Sequence, residues 1–361
     1  MSEIFSLGIA SSVASYNVDI YPLRDRLDID NRKITLIDNS ILNHEAHQIT
    51  DSDKLIKIDG GEDSKQFSFV ERILEKFADL HLKRGETINV IGGGSIQDVA
   101  TVATSLYMRG IAWHYIPTTL ASMMDSCIGG KSSINLGNYK NLIGNFHPPK
   151  KISIYPSYIR TLPKLEISAG ISEGVKICFA KGNFEVDEFM NAIEKWRNNN
   201  EEEMLREAIF LALESKRHFI EIDEFDQGER QNLNFGHSFG HALEASTSYK
   251  VPHGIAVLIG MLSALHYADN SMANTRFIEF LQREFDYSGF SKVRVIVDKQ
   301  GLFEALSRDK KNSSTHQVLI LPNTEGKLER VSIPMSPAAL NKSVNSTLQA
   351  FSILGGNFEV L

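Results

Sequence analysis

The pattern of apolar and polar positions changes character near residue 160. Before it, short apolar runs alternate with stretches of helical spacing. Residues 33–38 and 55–59 read as buried strands, 67–82 has helical periodicity, and 87–91 reads as a third strand. The glycines at 92–94 then turn into a helix through Met108, and 112–116 gives a fourth strand. Strands alternating with helices predict a parallel sheet with crossover connections. Beyond residue 160 the pattern is mainly helical, clearest over 171–180, 201–220, 228–246, 254–268 and 272–285, with one late strand at 317–322. The expected architecture is α/β, a nucleotide-type sheet domain over 1–160 and a helical domain over 161–361.

Composition narrows the class. A chain of 361 residues, 42% hydrophobic and 23% charged, is an ordinary soluble globular protein with room for two cores. Its net charge of −7 excludes a global affinity for nucleic acid or anionic membrane, so any basic site must be local. The two cysteines, Cys127 and Cys178, make no disulfide framework and fit a reducing compartment. The first residues lack a basic leader region, and the longest apolar stretch, 255–268, is too short to span a bilayer. A cytoplasmic location is expected.

The most specific chemistry lies in Arg230, Asn234, His237 and His241, spaced by four, three and four residues, with His253 just beyond. On one helix that spacing aligns the first four side chains on one face. Two imidazoles, an amide and a guanidinium in register point to a metal-assisted enzyme acting on an acidic small molecule. Imidazoles with one carboxylate form a catalytic zinc set that keeps a position open for substrate. Spacing does not choose which of the three histidines bind. Gly92-Gly93-Gly94-Ser95 stands at a strand-to-helix junction, where exposed amides suit a pyrophosphate, and Asp98 follows in the first helical turn. Asp125 to Lys131, with Lys140-Asn141 and the preceding Thr118-Thr119, combines lysines and glycines in a way that suits phosphate capture. Glu173 and Lys176 share a helix face; taken alone they describe a surface ion pair worth about 0.5 kcal/mol.

Together these segments resemble the 3-dehydroquinate synthase family of sugar phosphate cyclases, from about Glu62 to Pro322. The resemblance rests on the shared order of Gly92 to Asp98, Tyr107 to Gly110, Pro117 to Leu120, Asp125 to Lys131, Lys140 to Gly144, Glu173 to Lys176, and Asn234 to Gly254. It implies an N-terminal Rossmann-like domain, a helical metal-binding domain, an active site in the cleft between them, bound NAD, one divalent metal (zinc or cobalt) and a homodimer. The metal ligands it implies are Glu173, His237 and His253, leaving His241 to handle protons. The implied substrate is 3-deoxy-D-arabino-heptulosonate 7-phosphate, a small anionic sugar phosphate; no nucleic-acid or membrane partner is expected. Arg109, from the neighbouring subunit, Lys131, Asn141 and one of Lys310 or Lys311 would grip the phosphate. Lys216, Arg230 and Asn234 would hold the carboxylate side, with Asp125 and Lys176 as further contacts. Glu62, Lys65, Gly94, Ser95, Asp98, Thr118, Thr119, Lys140 and Thr161 fall where the family meets NAD, and Asp38 joins them. The implied reaction runs through oxidation at carbon 5, loss of phosphate, reduction, ring opening and an internal aldol closure, in the manner of shikimate-pathway synthesis.

Three positions depart from the family's pattern. Gln97 replaces a glycine, Gly174 replaces a valine or isoleucine, and Tyr155-Pro156-Ser157-Tyr158 stands where an Asp-Thr pair is expected. Other cyclases of the superfamily, making valiolone-type, deoxy-inosose or aminodehydroquinate products, are the nearest rivals. Those without a substrate carboxylate lose the matching arginine and asparagine, whereas Arg230 and Asn234 both stand here. Metal-dependent alcohol and glycerol dehydrogenases share the glycine start but lack the lysine motifs. A non-catalytic NAD-binding descendant is a further alternative, against which every mapped position keeps its chemistry.

Overall fold

The computed structural model describes the chain except residues 1, 2, 28, 31, 44–52, 138, 270–273 and 309–311. In chain order, the first part runs β1 (Phe5–Ile9), β2 (Tyr16–Ile20), β3 (Thr35–Asp38), β4 (Leu55–Ile58), α1 (Phe67–Asp79), β5 (Thr87–Gly92), α2 (Gly94–Leu106), β6 (Ala112–Pro117), β7 (Ile134–Leu136), β8 (Tyr139–Ile143) and β9 (Lys151–Ile154). Then follow α3 (Lys164–Lys181), α4 (Asn183–Asn199), α5 (Glu202–Ile222), α6 (His237–Ser246), α7 (His253–Tyr267) and α8 (Thr275–Ser288). The chain closes with β10 (Val295–Val297), α9 (Lys299–Ser307), β11 (His316–Pro322), β12 (Leu328–Pro334), α10 (Pro337–Leu354) and β13 (Phe358–Val360). Among the described residues no helix is long and apolar enough to cross a membrane.

Two compact units emerge. One is Met1–Leu162 with Ala192–Phe225; the other is Pro163–Asn191 with Asp226–Leu361. The chain passes from the first unit to the second after Leu162, and α5 returns to the first unit. Arg206 explains the return. Its side chain is fully buried, its guanidinium lies 4.2 Å over the Phe5 ring, and it donates to the carbonyls of Glu3 and Ile20 and to Glu203. A buried guanidinium is stable only with such partners.

The first unit is built on a seven-stranded sheet of order β1-β2-β9-β6-β5-β3-β4, parallel throughout except for the β1–β2 pair. The core strands are continuous apolar runs, as strands covered on both faces must be. Val70, Ile73 and Phe77 give α1 its buried stripe, and α2 buries Ile96, Val99, Ala100 and Ala103. Sheet order reverses between β3 and β5: β4 lies to one side of that pair, β6 to the other. A reversal of this kind leaves a crevice at the carboxyl ends of the two strands, where such sheets bind ligands.

In the second unit α7 is apolar all round and almost wholly buried, packed by α6, α10 and α3. The helix expected over 228–246 is not continuous. Glu229–Asn234 forms a short 3-10 turn, Gly236 turns left-handed at φ +78°, and α6 starts at His237. The alignment of Arg230 and Asn234 on one face with His237 and His241 is therefore corrected: only the two histidines share a helix. The cause is close packing. A Cβ on Gly236 would stand 2.7 Å from the Met261 amide nitrogen and 2.9 Å from the Val257 carbonyl of α7.

Candidate active site

Several cofactor candidates of the first unit lie at the sheet's reversal, between β3 and β5. Asp38 ends β3 and accepts from the Ser40 amide (2.9 Å) and hydroxyl (2.7 Å). Gly92 ends β5, and Gly93 caps α2 with no side chain satisfying the first amides. A Cβ on Gly93 would come within 2.8 Å of the Thr119 methyl, so only glycine leaves the backbone of this cradle approachable. Uncapped helix amides over an open backbone fit a pyrophosphate. Ser95 accepts from the Gly61 amide at 3.0 Å, which brings the segment after β4 onto the start of α2. Lys65 then joins several candidates at once: its ammonium lies 3.0 Å from Asp98 Oδ2, 3.0 Å from Asn141 Oδ1 and 3.8 Å from Glu62 Oε2. Glu62 accepts from Asn135, whose own Oδ1 takes the Asn141 amide. Burial raises the Asp98 carboxyl above its ordinary value, against the pull of Lys65 and the Ser133 amide.

Asp125 sits on a π-turn, Ser122–Ser126, and pairs with Lys216 of α5, whose ammonium reaches both the Asp125 carboxylate (2.5 Å) and its carbonyl (2.6 Å). A π-turn is a frequent mark of a functional segment. Thr118 is buried at the end of β6. Lys131 pairs by its backbone with Phe146, and Lys140 lies on β8. Arg109 is exposed on a left-handed turn at φ +68°. Thr161 shares no hydrogen bond with the Lys65 network among the described residues; its hydroxyl donates to the Tyr158 carbonyl at 3.4 Å. Lys310 and Lys311 lie outside the described residues. Gln97 is buried and bonded at both ends to Ser126; Ser157 is buried as well, and the ring of Tyr155, two residues before it, stacks on that of Tyr21. Burial pushes the Cys127 thiol up to about 12, so it carries no reactivity.

In the second unit, His237, His241 and His253 converge. One nitrogen of each lies within 4.8 Å of the others. His237 opens α6, and His253 opens α7, so the α6–α7 packing sets their spacing. Glu173 reaches the same place from α3. It is buried, as is Lys176, so the pair is not the surface one that spacing alone describes. The Lys176 ammonium lies 2.5 Å from Glu173 Oε2. Glu173 Oε1 is buried with no hydrogen bond among the described residues, and His253 Nε2 lies 3.4 Å from it. Burial works against charge on Glu173, but Lys176 and His253 hold its carboxyl well below the usual range. Burial likewise works to lower His253, yet Glu173 and Glu244 outweigh it and raise the imidazole to about 10. Three imidazoles and an oxygen lacking a donor fit a divalent metal of the zinc or cobalt kind. A metal bound there would displace the proton that these carboxylates attract.

Arg230 is buried on the 3-10 turn just ahead of α6, with Asn234 at the end of that turn. Asn234 lines a cavity of about 220 Å³ with Asp226, Gln231, Val318, Ile320 and Arg330. Sequence reasoning missed Glu244, whose carboxylate lies 3.3 Å from His253 Nδ1. Its three-residue spacing from His241, on the same helix face, was the available signal.

Residues 55–169 match the profile of the 3-dehydroquinate synthase N-terminal family, and residues 170–312 that of the 3-dehydroquinate synthase C-terminal family. The 3-dehydroquinate synthase of Helicobacter pylori (strain G27) is 36% identical over 282 residues, 76% of this chain and 79% of that one. Among solved structures, 2-deoxy-scyllo-inosose synthase complexed with carbaglucose-6-phosphate, NAD+ and Co2+ is similar at a TM-score of 0.75 and 21% identity, over 94% of this chain and 99% of that one. So is the 2-epi-5-epi-valiolone synthase of Streptomyces hygroscopicus subsp. jinggangensis 5008 with NAD+ and Zn2+ bound, at 0.74 and 21%, over 94% and 98%. At that identity the likeness is one of fold. The two adjoining profiles and a relative above 30% identity along most of the sequence have one consequence: this chain belongs to the 3-dehydroquinate synthase family.

Proposed function

We propose that the chain is a sugar phosphate cyclase of the 3-dehydroquinate synthase kind, converting 3-deoxy-D-arabino-heptulosonate 7-phosphate to 3-dehydroquinate and phosphate. The observation that carries this reading is the convergence of His237, His241 and His253 beside the buried Glu173, directly after a turn bearing Arg230 and Asn234. Glu173, His237 and His253 would hold the metal, and the loop from Gly92 to Asp98 would hold NAD. The metal supplies polarisation of a hydroxyl oxygen, and the nicotinamide supplies reversible hydride transfer.

The remaining work falls to the chain's own side chains. Arg230, with its planar fork of donors, suits a carboxylate, and Asn234 sits beside it. That pair favours a substrate bearing a carboxylate over a heptulose phosphate that lacks one. Lys131, Asn141 and Arg109 suit the phosphate, with Lys310 or Lys311 completing the grip. Lys216 and Asp125 orient hydroxyls as a donor and an acceptor fixed against each other. Lys176 keeps Glu173 ionised. His241, exposed beside the other two imidazoles, exchanges protons with the substrate. A cytoplasmic homodimer is the assembly this reading takes.

Phosphate release from this substrate, with NAD and zinc or cobalt supplied, tests the reading, with Glu173→Ala as control. The expected result is metal-dependent release of phosphate together with dehydroquinate, lost in the control. A folded protein that binds metal and NAD but releases none overturns it in favour of the amino analogue or another heptulose phosphate.

A further inference from the structure

Gln97 makes a two-point clasp. Its amide donates to the Ser126 carbonyl (2.7 Å), and its Oε1 accepts from the Ser126 hydroxyl (2.7 Å). The side chain is buried, at 2% exposed. Its backbone belongs to the first turn of α2, where its amide donates to the Gly93 carbonyl. The residue it grips ends the π-turn and is the chain neighbour of Asp125, which accepts from Lys216 through both its carbonyl and its carboxylate. A second strap runs alongside. Thr119, whose methyl faces Gly93, bonds the Ser122 hydroxyl at 2.9 Å at the other end of the π-turn. The glycine loop, the π-turn and the Asp125–Lys216 pair are thus joined by one continuous set of bonds within the first unit.

We propose that Gln97 is a positioning residue that ties the dinucleotide loop to the Asp125–Lys216 pair, so that the setting of the pair is felt in NAD binding. An apolar side chain of the same size would fill the space but leave the Ser126 carbonyl and hydroxyl without their partner, freeing the π-turn to shift. A glycine would leave no tie at all. The inference rests on the reading of Gly92 to Asp98 as an NAD site.

The experiment measures NAD affinity by calorimetry in the full-length protein. Gln97→Met, which loses both bonds, weakens NAD about tenfold; Ser126→Ala, which keeps the bond to the backbone carbonyl, weakens it less, and the double variant is no weaker than Gln97→Met. Lys216→Met weakens NAD severalfold in the wild-type background and has no effect in the Gln97→Met background. Metal affinity, which belongs to the second unit, stays unchanged in all of them. Gln97→Glu keeps the size and the acceptor for the Ser126 hydroxyl but sets an oxygen against the Ser126 carbonyl; it gives the same loss if the methionine variant does not fold. Wild-type NAD affinity in Gln97→Met, additive effects of Lys216→Met, or a parallel fall in metal affinity overturns the proposal and leaves the NAD reading standing. A wild-type protein that binds no NAD overturns both.

Discussion

At the scale of the residue, His253 carries a carboxylate at each ring nitrogen. Glu173 Oε1 lies 3.4 Å from Nε2, and Glu244 lies 3.3 Å from Nδ1. With Nδ1 engaged by Glu244, Nε2, on the Glu173 side, is the nitrogen that a metal held with Glu173 would take. Such an outer carboxylate fixes the ring and its tautomer and strengthens the ligand. Glu244→Gln should therefore weaken metal binding about 10- to 100-fold while leaving the metal-free fold intact. Competition with a chelating dye reads the affinity directly; an unchanged value removes Glu244 from the site. Glu173→Gln acts differently. It removes the Glu173 charge from beside the buried Lys176 ammonium, and breaking a buried pair in this way costs about 3–5 kcal/mol. The urea midpoint of the metal-free protein should fall accordingly, which Glu244→Gln should not reproduce.

At the scale of the element, the junction between the 3-10 turn and α6 decides the geometry of the histidines. Gly236 takes a left-handed turn there, against the backbone of α7. Gly236→Ala adds a Cβ 2.7 Å from the Met261 amide nitrogen and asks an L side chain to hold φ +78°. Strain plus displacement of α7 predicts a loss of about 2–4 kcal/mol and a weakened metal site. Denaturant midpoint and metal stoichiometry, measured together, check it: a stable variant with full metal would show that α6 and α7 tolerate separation. Strands β3 to β6 and β11 and most helices were legible because β-branched runs and helical spacing report burial directly, as in β5 and α1, whereas β1, β2 and β9 of the same sheet were not read from the pattern. The break at Gly236 was not, because the four-three-four spacing of Arg230, Asn234, His237 and His241 suits one unbroken helix, and only the approach of α7 forbids it. The three imidazoles were legible as a group from sequence distance. That Glu173 is buried among them depends on α3 packing against α7, a long-range fact that local pattern does not contain.

At the scale of the molecule, the return of α5 to the first unit was hidden for a related reason. Arg206 reads in sequence as one more charge on a solvated helix face, yet it is the anchor that sets α5 on β1 and β2. The charges of that unit also set how the folded chain answers to acid. His114 of β6 bonds the Ser153 hydroxyl at 2.9 Å, and burial, with Lys151 and Lys33 adding to it, lowers its imidazole to about 4. In the unfolded chain it titrates near its ordinary value of about 6.5. Above that value it is neutral in both states and makes no difference. Between pH 6.5 and 4 the unfolded chain takes up a proton that the folded chain refuses, so stability falls as pH falls, and below 4 the loss is complete. The slope is about 1.4 kcal/mol per unit, or about 2 kcal/mol between pH 6.5 and 5. His114→Asn keeps a polar partner for Ser153 and does not titrate. Urea unfolding at pH 5 and 7.5 should show the variant losing about 2 kcal/mol less than the wild type over that interval, whatever its stability at pH 7.5. Because the other titrating groups are common to both proteins, the difference isolates this one imidazole, and equal losses would mean that His114 takes its proton in the folded state.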